Sequence, residues 1–347
     1  MPPTAPNRRR IVSAAPLLLA ALSLVWGCRG SDPAARNPPD NKTAAPAADQ
    51  IRVGAWNIEW LGRPDRRGGP ARNTPQTAED IADYIHASGV DLLGLEEIRD
   101  DSPEGSAEPS NSTLTKALAI LKTKTGREWR QKLFANRGPD RDQLCGVVWN
   151  AGRVSPVGEP MVIPVPDKIG VVGEALWKRL PYAMKFSAGA GKTDIAVVVL
   201  HMKSNRPSDS NPKADPADHR GQEADELIAL TPKITERFDN ERDIVLMGDT
   251  NCKVGGEPSL AKFAKAGWKD LNSADEPTWF APGGKFPPAP FDRVLVPAGQ
   301  PEFRTSRQVV FRKQYFAKSG LDENGFRKRF SDHALVYIDL AVTADDD

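Results

Sequence analysis

The sequence is short of several things a 347-residue chain could have, and each shortage narrows the reading. The spacing of three cysteines, Cys28, Cys145 and Cys252, does not suit a cysteine-rich zinc site; Cys145 opens an apolar strand and reads as a buried thiol, with a Cys145–Cys252 disulfide as the alternative if the two lie side by side. There is no excess of either charge: 47 Lys and Arg face 46 Asp and Glu. That balance argues against wholesale counterion-driven binding to nucleic acid, although a local basic groove is compatible with it. No repeat of solenoid period interrupts the chain.

Long apolar runs are scarce too. The one near the start, "IVSAAPLLLAALSLVWGC", follows Arg8, Arg9 and Arg10 and contains Pro16. A basic start, a brief apolar core and small residues near its end read as an export signal over residues 1–28, and the brevity disfavours a permanent span. A retained hydrophobic anchor is the alternative. "LVWGC" resembles a bacterial lipoprotein processing site, with Cys28 as the residue to be lipidated and a membrane anchor as the result, although Trp26 is bulky for that pattern. Soluble secretion remains the other route. Removing the three arginines would leave the rest slightly acidic.

Residues 29–50, "RGSDPAARNPPDNKTAAPAADQ", are rich in Ala, Pro and polar residues without apolar periodicity, the composition of a tether. No second such linker follows, so residues 51–347 are expected to form one large domain. Length alone permits a substantial core.

What is present beyond residue 50 alternates between strand and helix. "IRVGAWNIEW" reads as a strand, "TAEDIADYIHASG" as a helix closed by Gly89, and "VDLLGLEEI" as a buried strand. "TLTKALAILKTKTG" suits a helix; "LCGVVWN" and "TDIAVVVLHM" suit strands separated by a Pro-containing excursion around residues 155–182. "RGQEADELIALTPKITERF" is helical with Pro232 as a kink or break, and "DIVLMGD", "FDRVLVP" and "HALVYIDL" complete the strands. The class is α/β.

Polar residues gather at the ends of these strands. Alternation puts Asn57 and Glu59 on one face, and Asp249 and Asn251 on another. Asp249 and Asn251 alone could be ordinary turn residues in "GDTNCKVGG". Yet Glu97, His201, Asp292, Asp332 and His333 also stand at strand ends. A fold that gathered them would assemble carboxylates for an oxygen-seeking cation, an amide for orientation and histidines for proton transfer or phosphate contact.

The ordered words "WNIEW", "LGLEEI", "VVVLHMKS", "MGDTNC", "FDRVLV" and "SDHALV" resemble the endonuclease/exonuclease/phosphatase superfamily, the DNase I-like fold, over about residues 51–340. The resemblance implies a four-layer sandwich, two face-to-face β-sheets flanked by helices, and divalent-metal-dependent phosphoester hydrolysis. It places the metal at Asn57, Glu97 and Asp332, and catalytic groups at His201, Asp249, Asn251, Asp292 and His333. Asp292 is the expected partner of a catalytic histidine. Glu97, beside Glu96, could instead be one of two consecutive acids capping the strand at the surface; the motif phase makes Glu97 the inward residue and puts Glu96 at the position that is often glutamine in relatives. Lys203, Arg137, Arg141 and Thr278 are expected at the substrate, and Trp279 at the mouth. Mg²⁺ is the expected ion, with Mn²⁺ a substitute; one ion is expected, and a second is compatible.

A phosphodiester in DNA or RNA is the favoured substrate for an exported nuclease, endonuclease or general phosphodiesterase. A lipid phosphodiesterase of the sphingomyelinase-like kind, a phosphomonoesterase and an inactive surface binding protein are the alternatives. No protein partner is implied. His86 and His219 stay outside the site: His86 reads as a helix-side residue, and His219 as a helix-start cap or a solvated group.

Overall fold

The computed structural model describes residues 46–64, 75–137, 141–281, 284–312, 315 and 319–345. The expected export signal, Cys28 and most of the tether lie outside the described residues. Among the described residues no helix is long and apolar enough to cross a membrane.

Among the described residues twelve strands form two six-stranded sheets. In the first, strands β1 (Gln50–Leu61), β2 (Leu92–Ile98), β3 (Trp129–Phe134), β4 (Leu144–Asn150), β11 (Val309–Val310) and β12 (Val336–Ala341) run in the order β11-β12-β1-β2-β4-β3. In the second, β5 (Ser155–Val162), β6 (Tyr182–Ser187), β7 (Asp194–His201), β8 (Ile244–Asp249), β9 (Trp268–Asp270) and β10 (Asp292–Pro297) run in the order β5-β6-β7-β8-β10-β9. Each sheet holds one parallel pair, β1 with β2 and β7 with β8; the other pairings are antiparallel.

A parallel pair needs a crossover, and a helix supplies each one. Helix α1 (Ala78–Ser88) joins β1 to β2, starting where the Thr77 side chain accepts from the Asp80 N–H and ending at Gly89 in the left-handed conformation. Helix α3 (Pro216–Arg237) joins β7 to β8; Asp215 caps its start by accepting from the Ala217 N–H, with Pro216 at the first turn, where a missing N–H costs nothing. It runs through Pro232 without dividing. Helices α2 (Ser112–Thr125), α4 (Pro258–Lys265) and α5 (Glu323–Arg329) complete the outer layers.

The four layers follow from which faces are apolar. Between the sheets lie Val53, Ala55, Val147 and Val336 against Val197, Val199, Met247 and Val294. Ile81, Ile85, Leu114, Leu118 and Phe326 cover the outer face of the first sheet, around Leu93, Leu95 and Val148. Leu227, Ile234, Leu260 and Phe263 cover the second, around Val198, Leu200 and Leu246. This inside-out doubling explains why β2, β7 and β8 read as continuous apolar runs: both their faces are buried. The free thiols separate accordingly, Cys145 between the sheets and Cys252 under the helices of the second.

The excursion expected around residues 155–182 contains the edge strand β5, whose Pro156 and Pro160 are tolerated because an edge leaves one row of backbone groups unpaired.

Candidate active site

Both parallel pairs bring their C-terminal ends to the same place. In register, Asn57 of β1 stands beside Glu96 of β2, and His201 of β7 stands beside Asp249 of β8. The start of β10 adds Asp292 opposite Asp249. The segment before β12 adds Asp332 and His333, tied by backbone bonds from Phe280 N–H to the Asp332 carbonyl and from Ala334 N–H to the Thr278 carbonyl.

Asp249 is the hub. One of its oxygens lies 3.1 Å from Asn57 Nδ2, 3.7 Å from His201 Nε2 and 3.9 Å from His333 Nε2, and the other accepts from the Asn251 N–H at 2.8 Å. His333 Nδ1 and Asp292 Oδ2 are 2.8 Å apart. Asp292 is held from beneath, its N–H donating to Thr278 Oγ1. Glu97 Oε1 is 3.8 Å from His201 Nε2, and Asp332 Oδ1 is 4.0 Å from His333 Nε2.

The backbone bends where these groups are offered. Glu59, Glu97 and Asn251 all have positive φ, at 48°, 62° and 55°, a region that L-residues enter at a cost and that concentrates at functional sites. Gly248 has φ of 136°, and a Cβ there would collide with the Leu200 carbonyl and with Glu96 Oε1. Only glycine lets β8 pass beneath the acids.

The electrostatics split the two histidines. Burial lowers the pKa of His201 well below the ordinary value, and Arg179 and the His333 ring push the same way. Burial acts against the charged form of His333 as well, but Asp292, Asp249 and Asp332 outweigh it and raise its pKa well above the ordinary value. One imidazole is therefore neutral and the other cationic near neutral pH. Burial, and then the Asp332 charge, pushes Glu97 up to about 7. Burial holds Asp249 at about 6 although the His333 charge pulls it down.

Crowded acids that raise one another are short of positive charge, which fits a bound cation. Glu97 and Asp332 supply hard carboxylate oxygens with side chains each 14% exposed, within reach of an ion from solvent. Among the described residues no group of three or more His, Cys, Asp or Glu side chains forms a metal cage. A site built on these two acids would therefore leave other positions open. The Asn57 oxygen accepts from the Glu59 N–H at 3.1 Å and its amide nitrogen faces Asp249, which leaves that oxygen a second lone pair for an ion. Asn57 thus supports Asp249 and stays compatible with its expected place at the cation.

Other expected residues are placed differently. Glu59 leaves the Asn57 face, because its positive φ breaks the alternation, and its carboxylate meets Arg327 of α5 at 2.9 Å from Nε. Of the two consecutive acids Glu96 is the more enclosed, fully buried beside Gly248 with neither carboxylate oxygen hydrogen-bonded, while Glu97 keeps 14% of its side chain exposed. Thr278 is fully enclosed and supports Asp292, so it offers no surface to substrate.

The Lys203 ammonium is turned into the fold, donating to the Arg206 carbonyl at 3.0 Å and lying 3.7 Å from Glu174. Arg137 pairs with Asp167 and donates to the Val165 carbonyl, and Arg141 pairs with Asp100. Lys203 is thus turned away from substrate, whereas the side chains of Arg137 and Arg141 keep 37% and 42% of their surface exposed beside these partners. His219, expected at the surface, is buried with Nε2 2.9 Å from the Leu176 carbonyl; His86 is exposed on α1.

Sequence reasoning missed the buried groups that hold the segment after β7. Arg179 donates to the carbonyls of His201 and Met202, Arg220 to that of Lys203, and Glu223 accepts from the Lys203 N–H. Asn251 Nδ2 reaches the Met202 carbonyl, and Asn205 Nδ2 the Asn251 carbonyl. Nothing in periodicity marks Arg179, which sits in an irregular stretch. Arg220 and Glu223 share a helix face three residues apart, the only signal available.

The family model for the Endonuclease/Exonuclease/phosphatase family matches residues 54–333, and the chain belongs to that family. Members are phosphoester hydrolases that generally use divalent metal ions. Among solved structures, an endonuclease/exonuclease/phosphatase from Bacteroides vulgatus is 14% identical, with 85% of this chain and 99% of that one covered and a TM-score of 0.54. The human nocturnin catalytic domain with bound sulfate is 15% identical over 86% and 96% of the two chains, with a TM-score of 0.51. A 3′ phosphatase, NExo, from Neisseria bound to product DNA hairpin is 14% identical over 83% and 98%, with a TM-score of 0.51. At such identities the likeness concerns the fold. No curated protein matches the chain by sequence.

Proposed function

We propose that this protein is a divalent-metal-dependent phosphodiesterase acting on DNA or RNA. The observation that carries the reading is the meeting of Asp249 with Asn57, His201 and the His333–Asp292 pair within 4 Å, beside Glu97 and Asp332. That a like-folded phosphatase holds a DNA product supports nucleic acid as the substrate class.

Glu97 and Asp332 would hold the cation, Mg²⁺ in our reading with Mn²⁺ as a substitute. When bound, the ion supplies Lewis-acid polarisation of a phosphoryl oxygen. Asp249, oriented by Asn57, takes the proton of the attacking water as the new P–O bond forms and the ester P–O bond breaks, its electron pair leaving on the ester oxygen, which takes a proton from solvent; a pKa of about 6 leaves Asp249 ionised at neutral pH and near the useful range for a general base. Neutral His201 donates from Nε2 to a nonbridging oxygen. Cationic His333, fixed by Asp292, offsets the charge that accumulates on phosphate. Asn251 holds the turn that carries Asp249 and aligns the phosphate. We also propose export through residues 1–28, with Cys28 lipidation as the anchoring route; mass analysis of the mature N-terminus tests it.

The test is a panel of linear and circular DNA, RNA, sphingomyelin and small phosphoesters with Mg²⁺ or Mn²⁺, with and without chelator. The reading expects cleavage of a polynucleotide that stops with chelator and with Glu97→Ala. Hydrolysis of sphingomyelin alone would move the substrate to lipid, and no hydrolysis of any member would replace catalysis by binding.

A further inference from the structure

The two oxygens of Asp332 have different surroundings. Oδ2 accepts from the Trp279 indole N–H at 3.1 Å and lies 3.5 Å from Arg327 Nη2, while Oδ1 faces the site, 4.0 Å from His333 Nε2. We infer that Trp279 and Arg327 are positioning residues that occupy one oxygen of Asp332, fix the rotation of its carboxylate and leave the other oxygen for the cation. The inference rests on the metal-dependent reading above and assigns these two side chains to it.

Both are fixed independently of Asp332. Trp279 pairs through backbone with His333 and with Ala289, and its ring stacks on Phe291 with centroids 5.0 Å apart. Arg327, 5% exposed, is anchored to the end of β1 by Glu59. Gln76 Nε2 stitches the same region, donating to the carbonyls of Ile58 and Phe330, and Ser331 Oγ donates to the Asn57 carbonyl at 2.7 Å. The turn carrying Asp332 is thus tied to the strand carrying Asn57.

Arg327 does not act on substrate directly. The cavity it borders with Asp332, Ser331 and Phe280 has a volume of about 10 Å³, room for one water molecule and not for a phosphate. A guanidinium beside Glu59 and Asp332 also lowers the repulsion that a second acid would otherwise exert on Glu97. Partners of this kind that orient metal-binding carboxylates are worth about 10- to 100-fold in metal affinity.

The test is Mn²⁺ binding to the purified protein, read by the electron paramagnetic resonance signal of free Mn²⁺, in the wild type and in Trp279→Phe, Arg327→Met and Arg327→Lys. Trp279→Phe keeps an aromatic ring against Phe291 and removes only the donor. We expect the Mn²⁺ dissociation constant to rise about 10-fold or more in Trp279→Phe and Arg327→Met, with Arg327→Lys between them and the wild type. At saturating Mn²⁺, the KM for substrate should stay at the wild-type value, which a general loosening of the fold would not allow. Unchanged Mn²⁺ affinity in a folded Trp279→Phe protein overturns the inference, and that variant decides alone if Arg327→Met does not fold. A wild type that binds no Mn²⁺ overturns the metal-dependent reading itself and the inference with it.

Discussion

The chain builds the same device twice and loads it differently. In β1–α1–β2 and β7–α3–β8, a parallel pair joined by a helix delivers two in-register side chains at its C-terminal end: Asn57 with Glu96 in the first, His201 with Asp249 in the second. Equivalent backbone positions thus carry an amide and a sealed acid on one side, an imidazole and the central acid on the other. The supports differ as well. The segment after β7 is gripped by buried Arg179, Arg220 and Glu223, whereas the end of β1 turns through left-handed residues to meet Arg327. Backbone symmetry places groups, and the surrounding charge decides what each does. His201, buried with Arg179 near it, is neutral; His333, whose surrounding carboxylates outweigh its burial, is cationic.

The largest effect should come from breaking the pair that makes His333 cationic. Asp292→Ala and His333→Ala are each expected to lower kcat by about 10²- to 10⁴-fold. The double variant should cost little more than either single one, because groups acting as a unit are not additive. Losses that multiply in single-turnover assays would show that Asp292 and His333 act separately. NMR titration sharpens the same point: the His201 ring should stay neutral where the His333 ring is still protonated, and Asp292→Asn should move only the His333 titration strongly downward.

A smaller effect is expected in stability. Burial pushes Glu223 up to about 8, although the Lys203 N–H and the charges of Arg179, Arg220 and Lys203 favour its ionised form. Between the ordinary carboxyl range and pH 8 the folded protein keeps this proton and the unfolded chain has released it. This group's contribution to stability therefore falls as pH rises through that window and levels off above it. Glu223→Gln should flatten the decline in denaturant-derived unfolding free energy; an unchanged slope would mean that Glu223 is ionised in the fold.

The smallest effect compares the two crossover helices directly. Thr77→Ala and Asp215→Ala each remove one N-cap acceptor and should each cost about 1 kcal/mol of unfolding free energy. Unequal losses would show that the two halves do not rest equally on their crossovers.

Much of the architecture was legible before the structure. The doubly buried strands β2, β7 and β8 read as apolar runs, α1 carried its own stop at Gly89, and α3 kept its pattern through Pro232. Strands β3, β5, β9 and β11 went unread, since short, edge or proline-bearing strands leave little alternation, and β6 went unread because Lys185 interrupts its apolar run. At the site, Asp249, Asn251, His201, Asp292 and His333 stood at strand ends and do converge. Side-chain direction beyond a strand's end was not legible: Glu59, Lys203 and Thr278 all point elsewhere than spacing implied.

By itself the sequence determined the buried central strands, the crossover helices and the order of polar residues at their ends, because periodicity and caps are properties of neighbouring residues. Only the tertiary structure decided which histidine carries charge, which acid is sealed and which arginine holds Asp332. Those outcomes depend on burial and on charges brought within a few ångströms from distant parts of the chain, where the low-dielectric interior magnifies each of them.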